Sequence, residues 1–124
     1  MKALPESSWL VLLHDEFAAE FAGFPLELRR QIYALIKLLE HFGPRLNRPH
    51  VDTLKGSKYA NMKELRLSAC DGEWRVAFAF DVKRQAILLV GGDKAGVAQG
   101  RFYRNLIRIA EERFRQHLLS LAEE

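Results

Sequence analysis

The residues best suited to chemistry in this 124-residue chain are basic side chains near its middle. Arg66 and Arg75 lie in the segments MKELRLSA and WRVAFAF, whose alternation of apolar and polar residues predicts two β-strands. An arginine presents several donors in a planar fork, so two arginines on one surface can hold a single phosphate group. The pattern therefore indicates a site for a phosphate-bearing ligand.

The turn between these strands predicts which residues share a face. If Asp71 and Gly72 form a two-residue loop, Arg66 lies opposite Ala77, and Arg75 is its diagonal neighbour at an α-carbon distance of about 7–8 Å. The same face carries Glu64, Ser68 and Ala79. The small alanines would leave the sheet open to a ligand. The opposite face carries the expected core: Leu65, Leu67, Trp74, Val76, Phe78 and Phe80.

A second interpretation of the two arginines needs no ligand. Arg66 and Arg75 could be ordinary exposed strand residues that form ion pairs with Glu64, Glu73 or Asp81 on the same face. Surface ion pairs of this kind are common and individually weak. The charge pattern alone does not decide between these interpretations.

Further basic and aromatic residues could extend the site. Lys55, Lys58 and Lys63 are either a rim that binds a nucleic-acid backbone or a solvated basic segment. Lys94 follows a glycine pair at the end of a predicted strand, where it could face a ligand or serve only the turn. Tyr103 could stack on a base or donate a proton, or it could be a packing residue with a bonded hydroxyl.

Other kinds of catalytic site find no support in the sequence. The histidines at 14, 41, 50 and 117 lack metal-ligand spacing, so no metal site is expected. Cys70 is the single cysteine and has no partner for a disulfide or a zinc site. No Ser-His-Asp or Cys-His arrangement and no phosphate-binding glycine motif is present.

The elements that must position these residues predict a single α+β domain over residues 1–124. The predicted order is a strand buried on both faces at 8–13, a helix from 15 to about 22, a second helix at 25–42, a long loop at 44–61, the hairpin, a third strand at 85–90 that ends at the glycine pair, and a final helix at 99–121. Because helices precede most of the strands, the class is α+β.

Composition agrees with a folded domain and indicates a location. Hydrophobic residues make up 48% of the chain, with eight Phe and two Trp, which suits one core. The net charge of +3 would suit an anionic partner. No apolar run is long enough to cross a bilayer and no signal peptide is recognisable, so a cytoplasmic protein without membrane contact is expected.

Several segments, taken together and in order, carry a family resemblance. These are GPRLNRPHVDTLKGSKYANMKELRL, EWRVAFAFD, AILLVGGDKAG and FYRNLIRIAEERFRQHL, and the match runs from about Trp9 to Leu119. They resemble the HigB-like, phage Gp49-related branch of the RelE/ParE toxin superfamily. The resemblance implies a RelE-like fold, with an N-terminal strand and two helices packed on a curved antiparallel sheet of about four strands, plus a C-terminal helix.

The resemblance also implies an activity and its partners. It implies the toxin of a type II toxin–antitoxin system, which cleaves messenger RNA on the ribosome without a metal or cofactor and inhibits translation. The expected partners are a HigA-like helix-turn-helix antitoxin, the ribosome and messenger RNA, and operator DNA through the antitoxin complex.

Positions carried over from the superfamily give catalytic roles to Arg66, Arg75, Lys94 and Tyr103. The resemblance leaves the general base open, with Lys63 or Lys94 as candidates, because no histidine lies between His50 and the last helix. Two alternatives to this function stay open: a ParE-like toxin acting on DNA gyrase, and an inactive relative that only binds nucleic acid or protein.

Overall fold

The computed structural model describes residues 9–123 and has the α+β class that the sequence predicts. Its elements in chain order are β1 (Leu10–Leu13), α1 (Asp15–Ala22), α2 (Leu26–Phe42), a 3-10 turn (Gly43–Arg45), β2 (Val51–Thr53), β3 (Met62–Ala69), β4 (Gly72–Phe80), β5 (Gln85–Asp93) and α3 (Gln99–Ala122). The three helices lie within a few residues of their predicted bounds. No helix in the described range is long and apolar enough to span a membrane.

The sheet has one strand more than predicted, and it is mixed rather than antiparallel. Its order is β1-β5-β4-β3-β2, with β1 parallel to β5 and every other pair antiparallel. The additional strand is β2, which lies inside the predicted loop at residues 44–61 and is only three residues long. So short a segment shows no period in the sequence and becomes a strand only by pairing with β3.

Two further strand predictions are wrong in detail. The N-terminal strand was expected to be buried on both faces, but β1 is an edge strand and Leu10 is 55% exposed. Ser8, which the prediction included, lies outside the described residues. β5 does not end before its glycines but continues through Gly91 and Gly92 to Asp93, because both glycines still pair with β4.

A helical layer covers each face of the sheet. Leu65, Val76 and Phe78 pack in a core with α1 and α2. Ala77 and Ala79 pack in a second core against α3 and are completely buried. The expectation that these alanines leave the sheet open to a ligand is therefore wrong, because α3 covers them. Their small size instead lets the helix approach the sheet.

The β3–β4 hairpin has a different register from the predicted one. Ala69 pairs with Gly72, so the loop residues are Cys70 and Asp71, both with positive φ (52° and 58°). Two consecutive positive φ values are typical of a type I′ hairpin turn. Gly72 is required for another reason, because a β-carbon there would collide with the carboxylate of Asp93 on β5. The sequence places the glycine in the turn, whereas the structure uses it for close packing between strands.

Candidate active site

A row of residues across the sheet forms the base of the candidate site. Arg66 pairs with Arg75, Arg75 pairs with Gly92, and the backbone N–H of Arg66 donates to the carbonyl of His50 at 2.8 Å. The two arginines are thus directly opposite, where α-carbons lie about 4.5–5.5 Å apart, and not diagonal as predicted. Two guanidinium groups this close repel each other unless an anion lies between them.

Glu64 supplies that anion from within the protein. Its side chain is 5% exposed, and one carboxylate oxygen accepts a hydrogen bond from Arg66 Nη1 at 2.9 Å. The other oxygen accepts the hydroxyl hydrogen bond of Tyr103 at 2.8 Å and lies 3.9 Å from Arg75 Nε. A single buried carboxylate therefore connects three of the residues predicted to act on substrate.

Arg75 is far less accessible than a substrate clamp was expected to be. It is 4% exposed, its Nη1 donates to the carbonyl of Trp74 at 2.9 Å, and Glu73 lies 3.8 Å from the same nitrogen. Its Nε is buried and has no hydrogen-bond partner among residues 9–123. The ion pairs of the second interpretation are present, with Glu64 and Glu73, but its expectation of an exposed strand residue is wrong for Arg75, which is buried.

Tyr103 reaches this network because α3 packs closely on the sheet. A β-carbon at Gly92 would lie 3.0 Å from the ring of Phe102, so the glycine lets the first turn of α3 approach β5 without displacing that ring. This contact places the neighbouring Tyr103 above Glu64. Burial, and then the hydrogen bond to Glu64, raise the pKa of Tyr103, although Arg75 opposes this rise. The hydroxyl therefore stays protonated at neutral pH and acts as a hydrogen-bond donor.

His50 lines the candidate site, although the sequence did not place it there. It precedes β2 and lies beside Arg66, and it lines the same opening as Arg66 and Arg75. The sequence assigned it to a long loop because β2 was not predicted. If the pairing of Val51 with Leu65 had been predicted, it would have placed the preceding His50 beside Arg66.

Two openings reach Arg66 from the surface. The first, named here the arginine groove, has a volume of about 540 Å³ and carries His50, Arg66 and Arg75 opposite an apolar wall from α2. The second, named the tyrosine pocket, has a volume of about 470 Å³ and includes Lys55, Arg66 and Tyr103. Arg66 belongs to both and is the more accessible arginine, with 23% of its side chain exposed.

Comparison with known proteins identifies the family. A model of phage-derived Gp49-like proteins matches residues 19–115. The chain belongs to the Gp49-like family. It is similar to the protein named toxin HigB2 of Mycobacterium tuberculosis, at 43% identity over 84% of this chain and 52% of HigB2. It matches the protein named toxin HigB3 of the same organism at 43% identity over 89% of this chain and 94% of HigB3. The chain thus spans about half of HigB2 and nearly all of HigB3, and the resemblance to the HigB-like branch is confirmed.

Solved structures show that this Gp49-like protein has the RelE fold. Free Escherichia coli toxin RelE with two arginines replaced has a TM-score of 0.63 at 11% identity, over 86% of this chain and 97% of RelE. A chain of the RelE–RelB complex from Pyrococcus horikoshii has a TM-score of 0.53 at 18% identity, over 73% of this chain and 99% of that chain. The RelE-like fold expected from the sequence is confirmed.

Lys55 and Lys58 of the Gp49-like chain, which were predicted either to bind a nucleic-acid backbone or to form a solvated basic segment, lie close together in the structure. Both line a groove between residues 55–58 and the outer face of α3, named here the helix groove. Lys55 also lines the tyrosine pocket, so the two openings are continuous at this residue. The rim extends the site away from Arg66 along α3.

Lys63 and Lys94 are not brought to these openings. Lys63 pairs with Phe78, whose side chain lies in the α1–α2 core, so Lys63 belongs to the other face of the sheet from Arg66. Strand alternation in MKELR already contains this information, because neighbouring residues point to opposite faces. Lys94 follows β5, donates its backbone N–H to the carbonyl of Glu73 at 2.8 Å, and lines neither the arginine groove nor the tyrosine pocket.

The polar side chains that line the two openings include the guanidinium of Arg66, a group that suits a phosphate. Across residues 9–123 no group of three or more His, Cys, Asp or Glu side chains could hold a metal ion. The two carboxylates next to each other in the β2–β3 ladder, Asp52 and Glu64, are each engaged by an arginine, Arg48 at 2.7 Å and Arg66 at 2.9 Å. The accessible donors are guanidinium and imidazole groups, which suit phosphate.

Proposed function

We propose that this Gp49-like protein is the toxin of a type II toxin–antitoxin system and cleaves messenger RNA on the ribosome, without a metal or cofactor, thereby inhibiting translation. The observation that carries the proposal is the arginine groove, where His50 lies beside Arg66 and Arg75. A base and paired cations are what phosphodiester cleavage at a ribose requires. The names of the HigB relatives as toxins support the same function.

The proposed reaction assigns a role to each group of the site. His50 removes the proton of the ribose 2′-hydroxyl, whose oxygen attacks phosphorus while the bond to the 5′ oxygen breaks. The products are a 2′,3′-cyclic phosphate and a 5′-hydroxyl, which takes its proton from solvent. Arg66 stabilises the negative charge that builds on the phosphate oxygens in the transition state. Arg75 strengthens the local positive potential from beneath, and Tyr103 orients Glu64 against Arg66.

The proposed partners follow from the same class of protein. A chain with this fold is solved in the RelE–RelB complex, and a small antitoxin is accordingly expected to hold this toxin inactive. We propose a HigA-like helix-turn-helix antitoxin, which would also connect the complex to operator DNA. The cytoplasm, where translated messages are, is the proposed location.

Brief induction of the chain in a bacterial host, followed by primer-extension mapping of messages, tests the function. Cuts within translated regions and in phase with codons are expected. Intact messages with DNA damage would indicate a gyrase poison of the ParE kind, and the absence of growth arrest would indicate an inactive binding module. Either of those results would refute the proposal.

Variants of Arg66 and His50 test the site within the same experiment. Arg66→Ala should abolish cleavage, whereas Arg30→Ala, at an exposed position of α2, should not. His50→Gln should lower the rate by about a hundredfold or more, since a general base typically contributes roughly 10²–10⁴-fold. His41→Gln, an exposed histidine outside the arginine groove, is the matched control. Full cleavage by His50→Gln would remove this residue from the mechanism.

A further inference from the structure

The helix groove carries more positive charge than its own carboxylates neutralise. Its lining includes the cations Lys55, Lys58, Arg104, Arg108 and Arg115 and the carboxylates Glu111 and Glu112. Glu112 pairs with Arg115 at 2.6 Å. Glu111 is occupied by backbone and hydroxyl donors. The remaining four cations therefore have no carboxylate within salt-bridge distance in the described part of the chain.

Contacts between its two walls fix the shape of the groove. Glu111 on α3 accepts hydrogen bonds from Ser57 Oγ at 3.0 Å and from the backbone N–H of Lys58 at 2.7 Å. Gly56 adopts a φ of 96° and lies against Ile107, where a β-carbon would meet the side chain at 3.5 Å. The segment that carries Lys55 and Lys58 is thus attached to the helix that carries the arginines.

Arginine spacing on α3 gives the groove a direction. Arg104 and Arg108 are one helical turn apart, which separates them by about 6 Å along the axis. Both are exposed, and Arg108 makes a hydrogen bond to Asn105 rather than to an acid. The groove begins at Tyr103, which it shares with the tyrosine pocket, and so leads away from Arg66. It forms a continuous basic path that starts at the candidate active site.

We infer that the helix groove binds the sugar–phosphate backbone of the RNA strand that continues from the scissile phosphate. This inference rests on the proposed function, because it extends the substrate path of that site. The lining contains no Asn or Gln side chain that could read base edges, and its lysines and arginines suit phosphates. Binding in this groove is therefore dominated by phosphate contacts and sensitive to salt.

Fluorescence anisotropy with a labelled single-stranded 2′-O-methyl RNA, which cannot be cleaved at the ribose, measures this binding directly. Each phosphate contact to a single strand contributes about 0.7 to the slope of log K against log salt concentration. The double variant Arg104→Ala/Arg108→Ala should therefore weaken binding and reduce the slope by about 1.4. Alanine favours helix at these exposed positions, so the variant is expected to fold, and circular dichroism checks this.

Two control variants separate a specific groove from general charge. Arg30→Ala/Lys83→Ala removes the same two charges at exposed residues outside the helix groove, and its slope should stay near that of the parent. Arg104→Lys/Arg108→Lys keeps the charge and should restore the slope. Equal loss in the control and the test variant would overturn the inference.

A synthetic poly-glutamate peptide distinguishes RNA from an acidic protein segment as the ligand. If Arg104→Ala/Arg108→Ala bound RNA like the parent but lost affinity for the peptide, the groove would be a protein-docking surface and the inference would be wrong.

The inference and the proposed function fail separately. A parent protein that showed the groove-dependent slope but cut no message would refute the ribonuclease function alone.

Discussion

Replacing Glu64 with glutamine tests whether this buried carboxylate holds the site in its active arrangement. Glutamine keeps the shape of the side chain, and its amide oxygen can still accept the hydrogen bond that Tyr103 now donates at 2.8 Å. The variant loses the negative charge that lies 2.9 Å from Arg66 and 3.9 Å from Arg75. We expect Glu64→Gln to be less stable, to bind RNA more tightly and to cleave it more slowly.

The loss of stability follows from burial. Removing one partner of a fully buried ion pair costs about 3–5 kcal/mol. The side chains of Glu64 and Arg75 are each 5% exposed, but that of Arg66 is 23% exposed and keeps some contact with water. We therefore expect Glu64→Gln to lower the free energy of unfolding by about 2–3 kcal/mol. For a chain of this size, that corresponds to a decrease in Tm of about 10 °C.

RNA affinity should change in the opposite direction. A phosphate bound on the far side of the Arg66 guanidinium would lie roughly 6 Å from the Glu64 charge, and at an effective dielectric constant of about 40 the repulsion is about 1.4 kcal/mol. Removing the Glu64 charge should thus strengthen binding about tenfold. The cleavage rate should fall about tenfold or more, because the variant loses the charge-assisted hydrogen bond that orients Arg66. A hydrogen bond to a charged group contributes about 1.5–3 kcal/mol.

Anisotropy with uncleavable RNA, single-turnover cleavage of a ribosome-bound message and thermal denaturation measure the three effects. Asp52→Asn is the matched control, because Asp52 pairs with Glu64 in the β2–β3 ladder but forms its ion pair with Arg48. This control removes the same charge and should change RNA affinity less. Weaker RNA binding by folded Glu64→Gln, or an equal gain in the control, would refute the reasoning.

Three further predictions concern stability. Arg113 is 8% exposed and donates two hydrogen bonds to Glu20 on α1, so Arg113→Met should lower the free energy of unfolding by about 3 kcal/mol in urea denaturation. The Arg113 hydrogen bond holds the pKa of Glu20 below its ordinary 4.5. The stability that this interaction contributes is therefore fully present well above pH 4.5 and is lost as the pH falls through the pKa of Glu20 in the folded protein. The Tm difference between the parent and Glu20→Gln should therefore shrink on acidification, and a constant difference would contradict this. Gly43→Ala should destabilise more than Gly96→Ala, because both have positive φ but only Gly43 lies against the Trp9 indole.

Strand alternation allowed the faces of the hairpin to be predicted but not its register. The predicted and observed pairings of Arg66, with Ala77 and with Arg75, differ by two positions, which leaves every side chain on the same face. The error came from assigning Gly72 to the turn. Its close approach to Asp93 on β5 depends on a strand that is distant in sequence, and local turn rules do not include such contacts.

The burial of Arg75 also depended on tertiary structure. The sequence placed Glu64 and both arginines on one face and kept the ion-pair interpretation open, but it did not indicate that α3 covers this face. That arrangement brings Phe102 into close contact with Gly92. His50 was missed for a related reason, since the strand that follows it, Val51–Thr53, is too short to show a period.

The buried charges of this site depend on one another, and this couples stability to activity. Arg75 is tolerated in the interior because Glu64 lies near it, and Glu64 is tolerated because Arg66 and Tyr103 donate to it. Removing any one of these groups leaves another buried without compensation, so loss of cleavage alone does not show that a residue takes part in the reaction. For Glu64, RNA affinity separates the two causes. Partial unfolding weakens binding, whereas loss of the internal anion in a folded protein strengthens it.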